Sequence, residues 1–141
     1  MAGPKTDPRR GAPLRATWGT GPASGIRKEV AMKHEKSRIY LTSRELISDA
    51  SVVVGKLPPG FGFLADQLRR ASSSVLLNFS EGSRHSSLKE RRRFFTMSAG
   101  SAAEVSAIAD VAQGFGAIGT EEHAALKNRC NHICAMLRLY R

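Results

Sequence analysis

Residues 63–82 read FLADQLRRASSSVLLNFSEG, and the order of apolar and polar side chains in this stretch decides the fold. Leu64, Leu68, Ala71, Val75 and Phe79 follow one another at steps of four, three, four and four. That spacing stacks them on one face of an α-helix, whereas a strand would alternate every second residue. A second row, Gln67, Arg70, Ser74, Asn78 and Glu81, steps by three, four, four and three along a narrow face beside the apolar one. Polar groups at the edge of a buried face need partners. The row therefore predicts either hydrogen bonds that fix register against a neighbouring helix, or a contact with a ligand or subunit. Gly82 stands where a C-terminal cap is expected, which sets this helix at 63–81.

Taken as α2, this helix has three companions. Ahead of it, α1 is predicted over 37–54, where Ile39, Leu46, Ala50, Val53 and Leu57 recur at helical spacing and Ile47 and Val54 widen the stripe. Gly55 ends it, and Leu57-Pro58-Pro59-Gly60 forces a turn. Beyond it, α3 is predicted over 87–113. Ser87-Leu88-Lys89-Glu90 reads as a capping box, and Phe95, Ala102, Val105, Ala109 and Ala112 share one face. The linker Gly114-Phe115-Gly116-Ala117-Ile118-Gly119 is flexible, with Phe115 and Ile118 able to fold back on the core. Thr120 is a good N-cap for α4, and Glu121 and Glu122 suit the positive end of its dipole. Leu126, Cys130, Ile133, Leu137 and Tyr140 form its apolar stripe. Short connections between four amphipathic segments imply an all-α, up-down-up-down antiparallel four-helix bundle over 36–141.

Residues 1–35 differ from the rest. Four of the six prolines (Pro4, Pro8, Pro13, Pro22) and five of the thirteen glycines (Gly3, Gly11, Gly19, Gly21, Gly25) fall there. Such a stretch cannot offset its ordering entropy by burial, so it reads as a disordered N-terminal tail. It is basic, and two readings stand side by side. It is an arm that touches a polyanion, with Trp18 as an anchor, or an extension ahead of true initiation at Met32.

Composition narrows the function classes. Lys and Arg number 22 against 12 Asp and Glu, a net charge of +10, which draws a small protein to polyanions: nucleic acid first, acidic protein or anionic lipid second. No run of about 18 apolar residues exists, and the N-terminus has no apolar signal core, so neither a membrane span nor a secretory signal is expected. Cys130 and Cys134, four apart on one helix, make no disulfide framework, and a reduced, cytoplasmic setting fits them. His123, Cys130 and Cys134 share a helix face, but three groups on one helix lack paired ligand spacing, so no metal is expected. Phosphate-loop, dinucleotide and nucleophile-elbow motifs are all missing. Glu81 and Glu104 would resemble a carboxylate bundle if they faced each other across α2 and α3, but the Glu-x-x-His pairs of a di-iron site are missing. The expectation is a protein without catalysis or cofactor.

Two clusters point to binding. Arg84, His85, Lys89, Arg91, Arg92 and Arg93 fall within ten residues, opposed by Glu90 alone. Consecutive Arg91, Arg92 and Arg93 fan across about 200° of a helix, so they cannot all face the core. Cations sit badly with the positive end of a helix dipole, which suggests a use for them. Arginine forks match phosphate geometry, so these six residues are the candidate nucleic-acid contacts, directed at RNA or DNA backbone. The second cluster is Ser98, Ala99, Gly100, Ser101, Ala102 and Ala103, small residues that let another helix approach closely, within the bundle or across a subunit interface.

Leu57-Pro58, Phe61-Gly62-Phe63-Leu64, Gln67, Arg69-Arg70-Ala71, Ser74 and Asn78-Phe79-Ser80-Glu81-Gly82, then Phe94-Phe95, Gly100-Ser101 and Glu104, carry a resemblance. Over 37–141 the chain is similar to the four-helix-bundle proteins encoded in 23S rRNA intervening sequences. It departs from their commonest pattern at Ser72, Ser73 and Phe79-Ser80. The resemblance implies a basic bundle that assembles into a ring, commonly a homo-pentamer. It also implies a distant relationship to the accessory variability proteins of diversity-generating retroelements, rings that bind a reverse transcriptase and nucleic acid. The resulting expectation is an oligomeric nucleic-acid-binding bundle. In it Gln67, Arg70, Ser74, Asn78, Glu81, Gly82, Gly100, Ser101 and Glu104 supply register and subunit contacts. The alternative is an adaptor or scaffold that docks an acidic protein, such as a reverse transcriptase or another neighbouring-gene product, without touching nucleic acid.

Overall fold

Ser37 opens the first helix by accepting the Tyr40 backbone N–H on its Oγ at 3.1 Å, and α1 then runs Arg38–Lys56. The computed structural model describes residues 37–140, so the tail reading of 1–35 lies outside the described residues. Gly55 does not end α1. The helix continues to Lys56 and stops because Leu57 precedes Pro58 and is driven to an extended backbone, φ −64° and ψ 133°. The turn after it closes on Gly60, whose φ of +96° is open to glycine at no steric cost.

The second helix, α2, spans Gly62–Arg84 and passes through Gly82 without stopping. Its carboxyl end is set three residues later by His85, extended at ψ 141°. The third, α3, spans Leu88–Gly114. Half of the expected capping box forms there. Ser87 Oγ accepts the Glu90 N–H at 3.4 Å, while the Glu90 carboxylate turns to Arg93. At its far end Gly116 adopts φ +73°, and Ala117 N–H donates to the Ala112 carbonyl and Gly116 N–H to that of Gln113, both at 2.8 Å. This paired pattern closes the helix and turns Ala117 and Ile118 into the core. The fourth, α4, spans Thr120–Arg138. Its N-cap is Gly119 and not Thr120. With no side chain at the cap, the Glu122 carboxylate takes over by accepting the Gly119 N–H at 3.0 Å.

Connections of five, three and five residues make successive helices antiparallel neighbours. Helices α1 and α4 close the ring of contacts: Lys56 meets Glu122 at one end, and Arg129 meets Asp49 and Glu45 further along. The predicted apolar faces of α2 and α3 are buried in full, with Ala65, Ser72, Ser98 and Ile108 added. Tyr140 departs from the predicted stripe. It is 46% exposed and lays its ring edge against Phe79 and Phe95 instead of entering the core. Ser98, wholly buried, gives its hydroxyl proton to the Val75 carbonyl at 2.7 Å, so α2 and α3 are joined by a polar bond as well as by packing.

Candidate nucleic-acid interface

The α2–α3 corner is built around a close contact. At Gly82 the α2 backbone lies directly on the Phe95 ring, with no room for a side chain between them. This approach brings the end of α2 and the first turns of α3 together and places the basic residues of both on one corner. His85 stacks on Phe94, ring centroids 5.1 Å apart and planes 13° apart, with its Nε2 3.2 Å from Glu81 Oε2.

The six predicted contacts are not equivalent. Arg93 donates twice to Glu90, at 3.0 and 3.2 Å, and its guanidinium lies 4.4 Å from the centre of the Phe94 ring. Those bonds hold the Glu90 carboxyl below its ordinary range. Arg91 is half-buried, 5.9 Å from the centre of the Phe95 ring, and His85 is occupied by Phe94. Arg84, Lys89 and Arg92 are exposed and have no carboxylate partner among the described residues. They are the cations that remain available to an external anion.

Two further residues belong to the same end and fall in no sequence window with the others. Because the bundle is antiparallel, Arg38 at the start of α1 and Arg138 at the end of α4 lie at the end where α2 finishes and α3 begins. Both are exposed and lack a carboxylate partner among the described residues. Towards the opposite end Lys56 pairs with Glu122, Arg69 with Asp66, and Lys127 with Asp110, which His123 also meets at 2.8 Å, while Arg70 is exposed and has no carboxylate partner among the described residues.

The polar row on α2 divides. Asn78 donates to the Ser74 carbonyl at 2.9 Å and to its hydroxyl at 2.8 Å, and Ser74 Oγ meets Ser101 Oγ at 2.7 Å, tying α2 to α3. Gln67 and Arg70 are exposed, and Glu81 is at the basic corner with His85. Glu81 and Glu104 do not face each other. With Ser74 opposite Ser101 and Gly82 opposite Phe95, they are offset by roughly 13 Å along the bundle. Glu104 instead lines an open groove of about 710 Å³ on the outer α2–α3 surface, with Arg69, Arg70, Ser73, Ser74, Leu77 and Asn78. Gly100 is exposed, and a Cβ there would meet nothing within 4 Å, so none of the four described helices uses it for close approach. Cys130 is buried, and desolvation pushes its thiol up to about 12. His123 on the same helix turns to Asp110 on α3.

A family model described as 23S rRNA-intervening sequence protein matches residues 35–139. The chain belongs to that family. The match takes in all four helices and both sides of the basic corner, as the resemblance of Asn78, Glu81 and Gly82 implied. No curated protein matches the chain. Among the described residues, no helix is long and apolar enough to cross a membrane.

Proposed function

We propose that this member of the 23S rRNA-intervening sequence protein family is a non-enzymatic, ring-forming bundle that binds the backbone of RNA or DNA. One observation carries the reading: Arg84, Lys89 and Arg92 are exposed and lack carboxylate partners among the described residues at one corner, while Lys56, Arg69 and Lys127 towards the far end are paired. Unpaired arginine and lysine on a rigid surface suit phosphate, whose neutralisation releases counterions. Assembly is supported by the open groove on α2 and α3, whose lining includes Leu77, 66% exposed, and by Gly100, exposed one turn from Glu104 on the same helix.

Fluorescence anisotropy of labelled structured RNA and duplex DNA at two salt concentrations tests the reading. Wild type is expected to bind at moderate salt, and Arg84→Ala/Lys89→Ala/Arg92→Ala to lose most of that binding while Arg93→Ala loses little. Failure of wild type to bind either nucleic acid at low salt would overturn it.

A second reading, the protein-docking adaptor, rests on the opposite end. There Phe61, Phe63 and Phe115 form an aromatic cluster with centroids 5.8–6.4 Å apart, Phe63 and Phe115 being 50% and 62% exposed. Aromatic surface of this kind suits a protein partner better than a phosphate backbone.

A further inference from the structure

We infer that the whole basic end of the bundle, Arg38 and Arg138 included, is one phosphate-binding face that takes double-helical nucleic acid across two strands in preference to a single strand. The inference rests on the proposed backbone binding and goes beyond it in naming the class of nucleic acid and two further contacts.

The first argument is placement. Arg38, Arg84, Lys89, Arg92 and Arg138 come from all four helix ends, and each is exposed without a carboxylate partner among the described residues. Packed helices lie about 8–10 Å apart, so four ends with their side chains spread cations over roughly 20 Å. That is too broad to enter a groove of about 6–12 Å, and broad enough to rest on the phosphates of both strands bordering it. Charges fixed to folded helix ends match a stiff, regular array of phosphates better than a flexible strand.

The second argument is the fate of the rings. Single-strand binders combine a basic track with aromatic faces on which bases stack, each stacked base being worth about tenfold or more in affinity. Here Phe94 is taken by the His85 imidazole and the Arg93 guanidinium. Phe79 and Phe95 are buried against each other, and Tyr140, 46% exposed, sets its ring edge-on to both. The exposed phenylalanines of the bundle, Phe63 and Phe115, are at the other end. Leu88 and Leu139 are exposed beside the cations, but two leucines offer little surface for lipid, which takes a whole apolar helix face.

The test uses the full chain and four labelled probes of equal length, duplex RNA, duplex DNA and their single strands, titrated at several salt concentrations, with phosphatidylserine vesicles as a fifth. Duplexes are expected to bind about tenfold more tightly than single strands, whose bases find no free phenylalanine face among the described residues of this end. Arg38→Ala and Arg138→Ala should each lower the slope of log affinity against log salt by about 0.9 on duplex DNA. Tyr140→Leu, which keeps apolar bulk and removes the ring, should bind like wild type. Single strands bound as tightly as duplexes, unchanged salt slopes, or a loss in Tyr140→Leu would overturn the inference while leaving backbone binding intact. Binding to vesicles alone, or to no probe, would overturn both.

Discussion

A methyl group at Gly82 would stand 2.7 Å from Phe95 Cε1 and 2.9 Å from the Cβ of Phe94, closer than side chains pack. Glycine inside a helix ordinarily costs about 0.5–1 kcal/mol against alanine, so the substitution usually stabilises. Here overpacking, at about 1–3 kcal/mol, reverses the sign. Gly82→Ala is expected to lower unfolding free energy by about 1–2 kcal/mol, net of the helix gain, in urea titration. A stabilised variant would show that Phe95 yields freely. At this scale the sequence located the right residue for another reason. Gly82 reads as a terminator because it follows Glu81 at the end of a periodic run. Only the fold shows an aromatic ring lying against it.

Between elements, α4 is fastened by exposed ion pairs on both sides. Glu122 is held below the ordinary carboxyl range first by its bond from Lys56, and Asp110 first by Lys127 and then by His123. A depressed carboxyl contributes stability that is complete above its unfolded pKa, about 4, and is lost as pH falls through the lower folded value. The Lys56 amine is raised by the same pair, so its share is lost only as pH rises above the ordinary lysine range. The urea midpoint should therefore fall below about pH 4, modestly because exposed pairs are screened. Glu122→Gln should remove part of that acid fall. An identical fall in the variant would show that the link contributes nothing. These pairs were not legible in the sequence, since Lys56 and Glu122 stand 66 residues apart. The helices themselves were, because each carries its own period, although α1 and α2 run one and two residues past the glycines that read as their stops.

For the whole molecule, the groove on α2 and α3 and the basic end lie on different surfaces, so the assembly and the anion binding proposed above should be separable by mutation. Gly100 is exposed and has open space where a side chain would grow. Gly100→Leu should leave helicity and monomer stability intact, and sedimentation velocity should show a smaller particle than wild type. An unchanged sedimentation coefficient would remove the α2–α3 surface from the assembly.

The four helices and their order follow from the sequence because helical periodicity is local. A residue's place on a face is set by neighbours three and four positions away. The cluster Arg84 to Arg93 was visible for the same reason, being contiguous. Which of its members stay free was decided by tertiary contacts, with Glu90 and Phe94 occupying Arg93, and His85 stacking on Phe94. The placement of Arg38 and Arg138 at the same end of the bundle was likewise a tertiary outcome. Antiparallel closure brings together chain positions that no window of sequence spans, and burial and pairing then sort the charges among them.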